Sequence, residues 1–376
     1  MKLTLVFTTI SSLFLSAVRA EDTTYQPINP ALLYWQAAAL LPRLSDAEAT
    51  ELREIASGKQ PADPEKLKAR GGDSVAEILR RAAASTAPCD WGLLLKEDGP
   101  ATVMPHLSKI RELADLAIVE AEVSLAQGNV AKGIDWLLTA HRIARHSGAG
   151  GTLISFLVQS GIETTVLNAA ARHSLGWDEA ARRDYAQKLM ALPSLHSLQE
   201  SYHGEINLAE WFERTNQLAE PQRTEKLEGI FQMTGGEEKE KFSKFMNPET
   251  LRKELAALRK LHARIESAIG MPWKEGHAAI EAIDKDIQQS EFTLVKHILP
   301  AIAATYEKSF VFATQHIMLD AALEHGAQLD ETRAATYRDA FSDEPLRLQK
   351  SPDGVISLVA SKPDRKGKKI QLKLGR

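Results

Sequence analysis

The stretch PHLSKIRELADLAIVEAEVSLAQ, Pro105 to Gln127, sets Leu107, Ile110, Leu113, Ala114, Ala117, Ile118, Ala121 and Leu125 at three- and four-residue steps. That period lays one apolar face along a long helix. Gly128-Asn129 then turns the chain, and Ile134, Leu137, Leu138, Ile143 and Ala144 form the face of a second helix that ends at Ser147-Gly148. An antiparallel helical hairpin is the expected unit, and a mainly α fold follows from it. Ala121, Gly128-Asn129, Ile134, Leu137 and Ala140 stand at the spacings of one tetratricopeptide-like unit, with Gly133 where that repeat has a small Ala. No tandem copy follows at the ~34-residue period of such arrays.

Upstream, Asn29-Pro30 is an N-cap with Pro at the first helical position, and Ser45 with Glu48 is a capping box for a helix that Gly58 stops. Asp63-Pro64 opens a short helix that Gly71-Gly72 closes, and the next helix runs from Asp73 or Ser74 to Ala84. Downstream, helices are expected over Thr152–Ser174, Asp178–Ala191, Ser194–Ala219, Pro248–Ile269 and Lys274–Gln289. A last helix spans Glu291–His325 with a kink at Pro300. Gly235-Gly236 and the charged run after them mark 222–246 as a mobile, charged excursion with helical parts. Beyond Gly326 the period changes to that of short strands, Leu346–Gln349, Val355–Val359 and Ile370–Leu374, a small antiparallel unit.

The first twenty residues read as an export signal: Lys2, an apolar run from Leu3 to Leu15, and Val18-Arg19-Ala20 before Glu21. That run is shorter than the ~20 residues a membrane-spanning helix needs, and no later apolar stretch is long enough, so no transmembrane segment is expected once the signal is removed. The expected organisation is a signal peptide over 1–20, a helical domain over 21–335 and a basic β-rich tail over 336–376. Cys89 is the only cysteine, so no internal disulfide is available, and a buried, inert thiol is the expectation.

Tyr34-Trp35-Gln36-Ala37, Cys89-Asp90-Trp91-Gly92, the hairpin from Pro105 to His146 and His203-Gly204-Glu205 follow in an order that resembles a group of uncharacterised exported helical proteins of planctomycete- and verrucomicrobium-type bacteria. Asp339-Ala340-Phe341-Ser342-Asp343-Glu344-Pro345-Leu346 and Asp353-Gly354 resemble the tail of type II secretion pseudopilins. The resemblance implies a β-tail and an exported, periplasmic or envelope-bound location; it carries no activity. A pseudopilin tail offers carboxylates to calcium, whereas this one has Arg365, Lys366, Lys368 and Lys369 around Asp364, a poor host for a cation. The signal also lacks a Gly-Phe prepilin cleavage point.

One stripe has the residue types of a site. His196, Glu200, His203, Asn207 and Glu210 recur on the helix expected from Ser194, and Glu200 with His203 is a Glu-x-x-His pair of the kind that holds metals in carboxylate-bridged bundles. A metal-assisted periplasmic hydrolase on this face would use His196, Glu200 and His203 as ligands and Glu205 or Glu210 as general base. No second Glu-x-x-His occurs, and Leu195, Leu198, Tyr202, Ile206 and Ala209 lie on another face. The plainer account is the solvated side of an amphipathic helix. Gly148-Ala149-Gly150-Gly151-Thr152 lacks a preceding strand and a Lys, so a helix end followed by a Thr N-cap is expected rather than a phosphate loop.

The tail cations Arg365, Lys366, Lys368 and Lys369 have no aromatic neighbours for base stacking, which argues against nucleic acid and leaves an envelope protein or anionic envelope polymer as partner. The six tryptophans are spread one per element, a pattern of core packing. No cofactor is expected. An exported scaffold or binding protein is the leading expectation, and the hydrolase is its rival.

Overall fold

Asn29 accepts the Ala31 N–H through its side chain and Pro30 follows at N1, so α1 runs Pro30–Leu40. The computed structural model that shows this describes residues 27–65, 72–233, 247–298 and 302–375. The capping box of Ser45 and Glu48 starts α2, Asp46–Ala56, and Gly58 leaves it at φ +76°. Then come α3 (Gly72–Ala84), the single turn α4 (Leu95–Asp98), α5 (His106–Ala126) and α6 (Val130–Gly148). Further along are α7 (Leu153–Ser174), α8 (Glu179–Met190), α9 (Leu198–Asn216) and α10 (Gln222–Met233). The last helices are α11 (Pro248–Ile269), α12 (Trp273–Gln289), α13 (Thr293–Ile298), α14 (Ile302–His325) and α15 (Glu331–Ala334).

The hairpin of α5 and α6 forms as expected. Gly128 at φ +78° makes the turn, and Asn129 caps α6 by accepting the Lys132 N–H. Gly133 is where a Cβ would run into the Leu125 side chain, so the two helices approach more closely than an Ala would allow. The antiparallel α5, α6 and α7 lie side by side and form the centre. α5 buries more than one stripe: Leu116, Val119, Glu122 and Val123 are covered as well, because α1, α2 and α3 pack over its second side. α14 packs on α7, and α8 bridges α6 and α14. A second apolar cluster is built by α9, α11, α12, α13 and the start of α14, around Tyr202, Leu258, Ile265, Ile280 and Tyr306.

The C-terminal strands are β1 (Arg347–Lys350), β2 (Ile356–Pro363) and β3 (Lys369–Leu374), antiparallel in the order β1-β2-β3. Leu348 pairs with Leu358, and Leu358 with Leu372. Leu358, Ile370, Leu372 and Leu374 all fall on one face by the period of two and enter the main core against α7 and α14. Gly375 N–H donates to the Ala171 carbonyl, so the end of β3 is tied to α7. Asp339 is buried and accepts from Phe341 N, Ser342 N and Ser361 N, which fixes the entry to the sheet.

The turn between β2 and β3 spends its carboxylate internally, since Asp364 accepts from Lys366 N and Lys368 N. A chain truncated before Asp339 should therefore melt lower by more than about 5 °C, while added calcium or a chelator should leave the full chain's melt in place. A chelator-induced fall of several degrees would refute the second half of this expectation.

Several boundaries differ from the expected ones. The helix expected from Ser194 begins at Leu198, because Ser197 is its N-cap. Of the expected excursion 222–246, residues 222–233 are helical as α10 and the remainder lies outside the described residues. The signal peptide, the short helix after Pro64 beyond Glu65, and the expected kink at Pro300 also lie outside them. Trp35 is not a core residue: it is 39% exposed, beside exposed Leu32 and Leu40 on the outer face of α1. The other tryptophans are buried or half-buried.

Candidate functional site

The His196 stripe does not converge. Glu200 is the second half of a capping box: its carboxylate accepts from Ser197 N at 2.7 Å, and its own N–H donates to Ser197 Oγ. His196 therefore precedes the helix, with its backbone N–H and carbonyl both bonded to the Gln159 side chain. His203 is exposed and stands 3.6 Å from Glu266 of α11, and Glu210 is an exposed partner of Arg214. Glu205 points the other way, into the protein, where its carboxylate accepts the Leu153 N–H at 2.9 Å and caps α7. Burial pushes that carboxyl up, partly offset by the Leu153 bond. Among the described residues no group of three or more His, Cys, Asp or Glu side chains is placed to hold a metal ion.

The motif residues instead form a structural joint. Tyr34 hydroxyl shares a 2.8 Å hydrogen bond with His146 Nδ1, and Trp91 Nε1 donates to the His146 carbonyl. Trp91 stacks on His106 at 4.4 Å between ring centres. Burial lowers both His106 and His146 to about 4, with Arg142 and His196 adding to the shift at His146, so both rings are neutral at pH 7. Cys89 is half-buried, and desolvation pushes its thiol up to about 12 against the Ala31 N–H it accepts. The thiolate needed for nucleophilic attack is disfavoured there. Gly204 completes the joint by lying directly against the Gly151 carbonyl.

Two further polar clusters are buried. Glu163 on α7 is fully covered, accepts from His141 Nδ1, and takes a second bond from Arg145 Nε at 3.3 Å. His141 Nε2 meets the Tyr185 hydroxyl at 2.6 Å. Burial alone would raise the Glu163 carboxyl, but His141, His316 and Arg145 hold it below the ordinary value. Glu122 is likewise held at about 2: burial opposes ionisation, and His173 and Arg172, at 2.9 and 2.6 Å, outweigh it. Arg172 also donates to the Ala56 and Ser57 carbonyls and so ties α7 to the end of α2. In both clusters the carboxylate is buried and paired with its cationic neighbours.

The open feature is a cleft of about 450 Å³ where α2, α5 and α7 meet. Thr50, Arg53, Glu54, Ser57 and Lys59 come from α2 and the turn after it; Arg111 and Asp115 come from α5; Gly161, Ile162 and Thr165 come from α7. Its volume is in the range of small-molecule sites. Gly161 is helical, and a Cβ there would meet nothing within 4 Å, so the α7 wall is recessed. Arg53 is braced by the Ala49 carbonyl and Thr50 Oγ1, and Gln60 holds Glu54.

The side chains of Arg111, Lys59 and Asp115 have no hydrogen bond or ion pair among the described residues. Arg111 and Asp115 are one helical turn apart on the side of α5 turned from its apolar stripe, and burial pushes the Asp115 carboxyl up to about 7 in spite of Arg111 and Arg53. A second groove, between α3, α6 and α8, is also lined by charges, but Lys188 is paired with Asp135 and Asp184 and Arg142 donates to the Ala83 carbonyl.

The sequence reading missed this cleft. Its only local trace is Arg111 and Asp115 four residues apart on one side of the α5 helix, among other charged residues such as Lys109 and Glu112. The tail cations Arg365, Lys366, Lys368 and Lys369 are all exposed, and Arg365 is tied to the helical body by its N–H on Glu307 and by its guanidinium 3.9 Å from Glu281. Comparison with family models, curated proteins and solved structures finds no match to this chain.

Proposed function

We propose that the protein is an exported helical binding protein of the bacterial cell envelope that takes a small hydroxylated anion in the α2–α5–α7 cleft. The observation that carries this reading is the pair of unpartnered cations, Arg111 and Lys59, in an open concavity beside braced Arg53. All three cations are exposed at the rim, and like charges gathered around one concavity focus their field on it and attract an oxyanion more strongly than isolated charges do. The hydroxyls of Thr50, Ser57 and Thr165 and the carboxylate of Glu54 suit the neutral end of such a ligand, as in a sugar acid. The exported location rests on the leader and on the motif order that resembles the planctomycete-type group. The tetratricopeptide-like hairpin is part of the same reading, as a scaffold for the cleft.

Exposed Lys366, Lys368 and Lys369 provide a second surface on which an anionic envelope polymer would dock. The metal-assisted hydrolase on His196, Glu200 and His203 has no supporting observation, since the capping box consumes Glu200.

Glucuronate titrated calorimetrically into the protein should bind, and uncharged glucose should not. Arg111→Ala should weaken glucuronate binding by about 10-fold or more, the worth of one charge-assisted contact. Gly161→Met, which fills the recess from a helical position with space around it, should abolish binding while leaving the fold intact. Secreted from a bacterial host, the protein should begin at Glu21 by mass. Equal binding by wild type and both variants would refute the cleft as the site.

A further inference from the structure

Asp115 is an unusual occupant of a cleft that gathers cations. It lies half-buried at the junction, and its carboxylate takes no hydrogen bond from any described residue. The charged groups around it come from three directions. On its own helix are Arg111 and Glu112, the latter engaged by Lys109 at 3.0 Å; from α2 and its turn come Arg53, Glu54 and Lys59. α7 contributes only Gly161, Ile162 and Thr165 to this wall, and Lys308 of α14 sits behind Arg111, its ammonium disfavoured by burial and by that neighbour. The cleft therefore has a built-in anion that feels both guanidinium groups without being bonded to either, and an entering oxyanion is placed beside it.

We infer that ligand and proton enter together: when an oxyanion settles against Arg53 and Arg111, Asp115 takes up one proton from solvent and becomes a neutral hydroxyl donor facing it. The inference rests on the anion-binding reading above. Two carboxylates close together in a partly desolvated space do not both stay ionised at ordinary cost. Protonation removes that repulsion and turns an acceptor-only group into one that donates to the ligand's oxygen. Burial already brings Asp115 to about 7, so the group is poised to take the proton near neutrality. The sign follows directly: the ligand prefers the protonated cleft, so affinity is level below that value and falls as pH rises above it.

The test uses glucuronate, whose own carboxyl stays ionised throughout the range, titrated into the full protein between pH 6 and 8.5 in buffers of differing ionisation heat. Affinity should fall by up to about tenfold per pH unit above 7, with uptake approaching one proton. Asp115→Asn should bind with level affinity across the range and no proton uptake.

A ligand-free reading supplements this. The folded carboxyl titrates near 7 against 3.8 for an ordinary Asp, so the stabilisation from holding the proton is present below about 4 and lost by pH 7. The Asn variant, which has no proton to lose, should melt about 2–4 °C above wild type at pH 8 and alongside it at pH 4. Absence of glucuronate binding in the wild type would sink the anion reading itself. Binding that is level in pH without proton uptake, or a pH dependence that survives in Asp115→Asn, would overturn the coupling alone.

Discussion

Replacing Glu163 by glutamine should remove about 3–5 kcal/mol of folding stability at pH 7, the usual consequence of deleting one partner of a buried ion group. The carboxylate is fully covered, and its loss leaves Arg145 and the His141–Tyr185 pair facing a neutral amide with no compensating charge. Glutamine keeps the volume, so packing is preserved and the effect reports charge and hydrogen bonding rather than a cavity. The pH dependence has a definite sign. Glu163 is held below its ordinary value in the folded state, so its contribution is present above the unfolded value of 4.5 and fades as pH falls through the folded one. Urea titrations of wild type and variant should thus diverge at pH 7 and draw together below about pH 4.5. A difference under ~1 kcal/mol at pH 7 would show that the cluster is a bystander to stability.

Gly204→Ala should be nearly as damaging, by about 3 kcal/mol or more, although it adds one carbon. That carbon would overlap the Gly151 carbonyl oxygen, and the obstruction is backbone, so no side-chain rotation relieves it. α9 would have to move away from the corner between α6 and α7, drawing Glu205 off the Leu153 N–H that it caps. Gly161→Ala is the matched control. It too is a helical glycine, but its added carbon meets nothing, and a gain of about 0.5–1 kcal/mol is expected from helix propensity. Thermal melts of the pair should shift in opposite directions; a shift of the same sign would refute the close approach of Gly204 to Gly151.

How far the sequence discloses this architecture can be followed residue by residue. The hairpin of α5 and α6 is legible because its apolar steps, the Gly128-Asn129 turn and the Asn129 cap all act within a few residues of one another. The three strands are legible for the same reason: alternation over Ile370–Leu374 and the Asp353-Gly354 turn are local signals. The start of α9 shows a local signal misread. Ser197-x-x-Glu200 is the same capping pattern as Ser45-x-x-Glu48, and reading it as such places His196 outside the helix and commits Glu200 to the backbone.

The cleft was out of reach because Arg53 and Arg111 meet only through the packing of α2 on α5, a contact that no periodicity encodes. Glu163 was equally hidden. Its helix shows no polar stripe, and only the folded arrangement reveals that His141 and Arg145 of α6 and Tyr185 of α8 surround it.

The docking of β3 on α7 bears on timing. Ala171 and Gly375 are hydrogen-bonded although about 200 residues separate them along the chain, a closure that is slow to find and cannot begin until the strand exists. During synthesis from the N-terminus, α7 and α14 wait with an uncovered apolar surface that Leu358, Ile370, Leu372 and Leu374 fill last. The step that completes the core is therefore reserved for the finished chain, and a chain shortened at its C-terminus keeps an apolar face of α7 and α14 open to self-association.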